Sequence, residues 1–208
     1  MNGVIPDEQI GQVLDFWFDG DPAECDDPQA LMRKWFSGTP DQDRELEENF
    51  GSLAKAAARG ELDAWTTTPA GRLALIILLD QLPRSLYRGT PDAFASDPKA
   101  LSITLQGLDQ GQDNSLHALE RIFFCMPLQH AESREVQSRS CKVFDALADS
   151  VTADPLASVL RSASDYAHEH CRIVDRFGRF PHRNQTLGRE SSEAELEFLN
   201  SGGPTYGQ

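Results

Sequence analysis

The sequence is short of positive charge. Lysine and arginine number 19 against 33 aspartate and glutamate residues, for a formal net charge of −14. General nucleic-acid binding needs a basic face that neutralises phosphates, so this composition excludes it. Adhesion to an anionic membrane surface is excluded on the same ground. Long apolar runs are also lacking. The longest, Leu73 to Leu79, falls far short of the roughly 20 residues a membrane-spanning helix needs. Cysteine is sparse and irregularly placed, at Cys25, Cys125, Cys141 and Cys171, with no C-x-x-C pair. That is neither a zinc pattern nor a disulfide framework, and reduced thiols in a cytoplasmic protein are expected. The N-terminus carries Asp7 and Glu8 and no basic-then-apolar signal region. Runs rich in Val, Ile and Thr with period two are missing, so no strand is expected. The G-x-S-x-G elbow, the Walker loop, G-x-G-x-x-G and H-E-x-x-H are missing too.

What the chain does have is a recurring punctuation. Asp27-Pro28, Thr39-Pro40, Thr68-Pro69, Asp97-Pro98 and Asp154-Pro155 each precede a stretch of helical periodicity. Asp and Thr side chains accept an orphan backbone N–H, and proline suits the first helical position. Ile10, Val13, Leu14 and Trp17 follow the i, i+3, i+4, i+7 spacing, and Leu46, Phe50, Leu53 and Ala57 make a second stripe ending before Gly60. Pro69 to Tyr87 is apolar on every side at its centre, which predicts a buried helix with a kink at Pro83. Further helices are predicted around Leu101–Leu105, Leu116–Phe124 with a break at Met126-Pro127, and Val136–Leu147. A long one runs from Leu156 to near Gly178, and Ser192 with Glu195 forms a capping box for the last. The expectation is one all-α domain of eight to ten helices over residues 1–200, followed by a loose tail over 201–208. A chain of 208 residues can bury a core without staples of metal or disulfide.

Three stretches carry candidate chemistry. Asp80, Gln81, Arg84 and Arg88 lie on the buried helix, where a charge is costly unless paired, and Arg84 at i+4 can pair Asp80. The plain alternative is an ion pair that only fixes packing. Glu120, Arg121, His130 and Glu132 form the second group, with His130 able to act as acid or base near neutral pH. A structural hydrogen-bonding role is the plain alternative there. The third runs from Arg161 to Glu190 and is locally basic. Its centre, Arg176, Arg179, His182, Arg183 and Asn184, is fixed by a turn at Gly178 and Pro181. Arginine forks suit carboxylates and phosphates, although in so acidic a chain they can equally pair with neighbouring helices. His168 and His170 differ by two on a helix and cannot chelate one ion together. No metal or cofactor is expected.

Four pieces of the sequence resemble a known family. They are Val13 to Phe18 (VLDFWF), Leu73 to Arg84 (LALIILLDQLPR) with Tyr87-Arg88-Gly89, Glu120 to Glu132 with Gln137, and Arg176 to Asn184 with Leu187-Gly188-Arg189. Together they resemble the bacterial family called domain of unknown function 924 over nearly the whole chain. The resemblance implies an all-helical, tetratricopeptide-like superhelix and no established activity. Two positions depart from it: Gln129 stands where it implies an acid, and Ala131 where it implies a serine. It therefore supplies no carboxylate next to His130 along the chain.

The leading expectation is a binding protein. Asp80, Arg84, Arg88, Arg121, His130 and the Arg176–Asn184 turn would converge on a polar pocket for a small anionic metabolite or peptide carboxylate. The rivals are an acid–base enzyme using His130 with an arginine clamp, and a protein-interaction scaffold. A cleft in which an orienting carboxylate bonds His130 would favour the enzyme. An exposed apolar groove without convergent charge would favour the scaffold. Oligomeric state is not legible.

Overall fold

A computed structural model describes residues 6–206, and in it the chain folds into nine helices when one interrupted helix is counted whole. Residues 1–5, on which the signal-region reading partly rests, and residues 207–208 of the tail lie outside the described residues. The helices are α1 (Pro6–Phe18), α2 (Pro28–Ser37), α3 (Pro40–Ala58), α4 (Pro69–Ile76, continued through Ile77–Gln81 and Leu82–Leu86), α5 (Asp97–Asp109), α6 (Ala118–Gln129), α7 (Arg134–Asp149), α8 (Leu156–Phe177) and α9 (Glu193–Asn200). No strand occurs among the described residues.

The caps explain most of the starts. Asp27 accepts the Ala30 N–H at 2.8 Å and Thr68 accepts that of Gly71 at 3.1 Å. Thr39 with Gln42, and Ser192 with Glu195, close reciprocal capping boxes. Two of the five expected caps behave differently. Asp97 is the first residue of α5 rather than its cap, and its carboxylate faces two arginines. Asp154 reaches past the start of α8 to the N–H of Ser158 at 3.1 Å.

Both internal prolines differ from expectation. The kink foreseen at Pro83 is a π-turn over Ile77–Gln81, in which the Leu82 N–H reaches back to the Ile77 carbonyl. Proline collides with the carbonyl four residues before it, and one extra residue in the turn relieves that collision. The break foreseen at Met126-Pro127 does not occur. α6 runs on to Gln129 with Pro127 inside it, and His130 closes its C-terminal end. Phe123, Phe124 and Leu128 are wholly buried on both sides of the proline. Burying each contributes about 1.5–3 kcal/mol, which together outweighs the roughly 3 kcal/mol that proline costs in a helix interior.

α4 is the centre of the core, with Leu73 through Leu79 all at 1% exposure or less. At its start, buried Arg72 donates to the Ile103 carbonyl at 2.7 Å and the Thr66 carbonyl at 3.0 Å, tying α4 to α5 without an acidic partner. Arg134 bonds the Asp175 carbonyl, Cys141 that of Ala167, and Asp145 takes the Ser164 hydroxyl. Those rungs make α7 and α8 an antiparallel pair, an arrangement compatible with a tetratricopeptide-like array. A small second cluster of Ile173, Val174 and Phe180 is covered by Phe177, Phe198 and Tyr206. Tyr206, in the stretch expected to be loose, stacks on His170 at 4.2 Å and bonds Glu169 at 3.0 Å.

Candidate active site

Asp80 is wholly buried in the π-turn of α4. A carboxylate there must be paired, and three donors surround it. His130 Nδ1 lies 2.8 Å from Oδ1, Gln81 Nε2 reaches Oδ2 at 2.5 Å, and Arg84 Nη1 stands 3.5 Å from Oδ1. Arg84 also bonds the Asp80 carbonyl and forks onto both oxygens of Asp97 at 3.1 Å each. Asp97 takes Arg183 as well, at 3.2 Å. The Arg183 guanidinium sits between the Phe94 and Phe180 rings, 4.6 Å from each centroid. His130, Asp80, Arg84, Asp97 and Arg183 thus form one continuous row of alternating groups drawn from α6, α4, α5 and the turn after α8.

The electrostatics follow from that row. Burial alone raises the Asp80 carboxyl, but Arg84, His130 and the bonds from His130 and Gln81 outweigh it and hold the group far below its usual range. Burial and the Arg84 charge lower His130, against the opposing pull of Asp80, so the imidazole is held neutral at pH 7. His170 is pushed down to about 3 by burial and by His130. Its Nδ1 donates to the Tyr166 carbonyl at 2.7 Å. His182 is pushed down to about 3 by burial and Arg183. Burial and Arg84 lower even Arg183, to about 10.

These groups border one cleft of about 940 Å³, within the range usual for small-molecule sites. Of the residues singled out in the sequence, Asp80 lies beneath it. Gln81, Arg84, Arg88, His130, His182 and Arg183 line it, Arg88 also lying 3.4 Å from Asp43. Other candidates are engaged elsewhere. Arg121 bonds Asp113 at 2.9 Å, away from the cleft. Arg179 forks onto Glu195 at 2.7 and 2.8 Å, and Arg176 lies over Phe177 and Phe198. Glu132 holds Arg189 at 2.6 and 2.9 Å, accepts the Phe180 N–H and does not line the cleft. Asn184 accepts Arg189 and donates to Ser191. These last residues build the turn that presents His182 and Arg183. No cluster of His, Cys, Asp and Glu able to hold a metal occurs among the described residues.

Three site residues are not legible as such in the sequence. Asp97 precedes proline and reads as a helix cap. His170 falls on the apolar stripe of α8 and reads as a buried residue of that helix. Tyr206 carried no periodic signal at all. The carboxylate that bonds His130 is Asp80, fifty residues away on a different helix.

Comparison with known proteins agrees with this fold. A protein of unknown function from Agrobacterium tumefaciens, ATU0120, has a solved structure that superposes with a TM-score of 0.80 at 33% identity, covering 95% of this chain and 100% of that one. No curated relative matches. The family model described as a bacterial protein of unknown function, DUF924, matches residues 13–203. With that match spanning nearly its whole length, the chain belongs to the bacterial family of unknown function DUF924.

Proposed function

We propose that the protein is an acid–base enzyme acting on a small anionic molecule, with His130 as the proton carrier. One observation carries the reading: His130 bonds a wholly buried carboxylate through Nδ1 at 2.8 Å while its ring borders the cleft. An ionised carboxylate only accepts, so Nδ1 carries the hydrogen and Nε2 keeps its lone pair. No hydrogen-bond partner for Nε2 is found among the described residues. A neutral, oriented imidazole facing a cleft is suited to take a proton from a bound molecule. Arg84, Arg88 and Arg183 also line the cleft, and their guanidinium groups can donate to an anionic group. The Arg183 Nε–H is buried with no partner among the described residues.

Binding without turnover is the second reading, and the arginines support it equally. A scaffold is less favoured, because the cleft gathers charge instead of presenting a bare apolar groove. A cytoplasmic setting suits a chain with four dispersed free thiols.

The test is to incubate the purified protein with mixtures of small carboxylates, carboxylic esters and phosphate monoesters and follow them by proton NMR. Turnover of an anionic member that His130→Gln abolishes is expected. Turnover that survives His130→Gln at full rate overturns the role of His130. Binding without any turnover overturns the enzyme and leaves the binding protein.

A further inference from the structure

The cleft combines a charged floor with a mixed outer part, where Gln29, Arg33, Ser158 and Ser162 are interspersed with apolar side chains. Its outer part lies between α2 and α8, walled by Met32, Trp35 and Phe36 on one side and by Val159, Ala163 and Tyr166 on the other. Phe36 is 61% exposed and Tyr166 55% exposed, among the few large hydrophobic side chains that face solvent in the described residues. Leaving such rings in water forgoes the gain from burying them, and a bound apolar group would recover it. Beneath them Trp17 and Trp35 stack face to face, 3.9 Å between centroids and 2° from parallel. Trp35 donates its indole N–H to the Trp17 carbonyl at 2.8 Å, whereas that of Trp17 is buried with no partner among the described residues. A volume of about 940 Å³ is far more than acetate or phosphate would fill.

The geometry points to a carboxylate carrying an apolar body, such as an acyl chain, as the molecule this cleft takes. The head sits at Arg84 and Arg183 beside His130, and the body runs outward between α2 and α8 over Trp35 to Phe36 and Tyr166. The floor row pairs two arginines with two aspartates and its histidine is neutral, so a head group is held there by hydrogen bonds, the partnerless Arg183 Nε–H among them, and not by an excess of positive charge. This assignment rests on the reading of the floor as an anion site.

The experiment is a titration with acetate, butanoate, hexanoate and octanoate, and with octanol and octylamine as head-group controls. Binding is read by the fluorescence of Trp17 and Trp35 and by calorimetry. Affinity should rise about fourfold per added methylene along the acids, and octanoate should bind at least tenfold more tightly than octanol or octylamine. The double variant Phe36→Ala, Tyr166→Ala, altering exposed positions only, should flatten the length dependence. Arg183→Lys should weaken every acid. Acids that bind equally well at all lengths, still preferred over octanol, overturn the apolar body and leave the anion site standing. Octanol binding as tightly as octanoate overturns the anion site as well. Failure of the whole series to bind overturns the assignment of a carboxylate.

Discussion

Asp80 and His130 lie fifty residues apart in the chain and share a 2.8 Å hydrogen bond beneath the cleft. Because Asp80 stays ionised, the bond fixes one tautomer of the ring. Nitrogen-15 imidazole shifts should therefore show His130 protonated at Nδ1 at pH 7. Asp80 also raises the His130 pKa, through its charge and its hydrogen bond, against burial and Arg84. In Asp80→Asn that pull disappears, so His130 should titrate lower still and its two tautomers should mix. A ring found protonated at Nε2 in the wild type would remove the basis for its role as a proton acceptor.

An anion beside a neutral imidazole favours the charged form. Octanoate, or any anion bound at the floor, should raise the His130 pKa and take up a proton from solution. Affinity should then increase as the pH falls from 8 to 6. Calorimetry in two buffers of different ionisation enthalpy measures the proton uptake directly. Binding with no uptake across that range would place the head group away from His130.

His170 makes stability depend on pH in a defined window. Its folded pKa is about 3 and an unfolded histidine titrates near 6.5. Below pH 6.5 the unfolded chain gains a proton that the folded chain refuses, so stability falls as the pH drops from 6.5 toward 3. Above 6.5 the effect is nil. At pH 5 this one group removes about 2 kcal/mol. Urea melts at pH 7 and pH 5 measure the loss, to which His182 and His130 add in the same direction. In His170→Phe the difference between the two melts should shrink by one histidine's share.

Arg179 and Arg183 lie in one short turn, but they should respond to substitution in different assays. Arg179 holds the carboxyl of Glu195 down at about 2 and anchors α9. Arg179→Ala should lower the melting temperature and leave ligand affinity unchanged. Arg183 is clamped between two phenyl rings at the floor of the cleft. Lysine can neither stack as a plane nor present two parallel N–H groups, so Arg183→Lys should weaken ligand binding. A thermal melt and a calorimetric titration on each variant make the comparison. Loss of binding in Arg179→Ala would mean that the site extends to the outer end of the turn.

How far the sequence speaks depends on the range of the interaction. Caps are local, so Asp27, Thr39, Thr68 and Ser192 were legible from residues three apart. The buried α4 was legible because seven consecutive apolar residues leave no other place for the chain. The course of α6 past Pro127 was not, because local propensity opposed it and burial of distant neighbours decided it. The same holds at the site. Asp80 and Arg84 are one helical turn apart and could be paired on paper, whereas Asp97 with Arg183 spans 86 residues. Arginines in a basic stretch look alike in sequence. Only contacts across the fold separate Arg183 in the cleft from Arg179 at the surface.

Gly107 tests whether the frame around the floor tolerates any slack. A methyl group there would lie 2.5 Å from both Arg72 Cδ and Phe124 Cζ. Neither can retreat, since Phe124 is wholly buried and Arg72 is tied to the carbonyls of Ile103 and Thr66. Glycine to alanine inside a helix normally stabilises by about 1 kcal/mol, and overpacking costs about 1–3 kcal/mol. Gly107→Ala should therefore destabilise by up to about 2 kcal/mol in a urea melt. Gly11→Ala on α1, where the added carbon meets nothing within 4 Å, should stabilise instead. α5 also carries Asp97, which joins Arg84 to Arg183, so displacing this helix from α4 should weaken octanoate binding in Gly107→Ala and not in Gly11→Ala. If both variants bind octanoate like the wild type while Gly107→Ala is destabilised, Asp97 is held by its two arginines and not by the packing of α5.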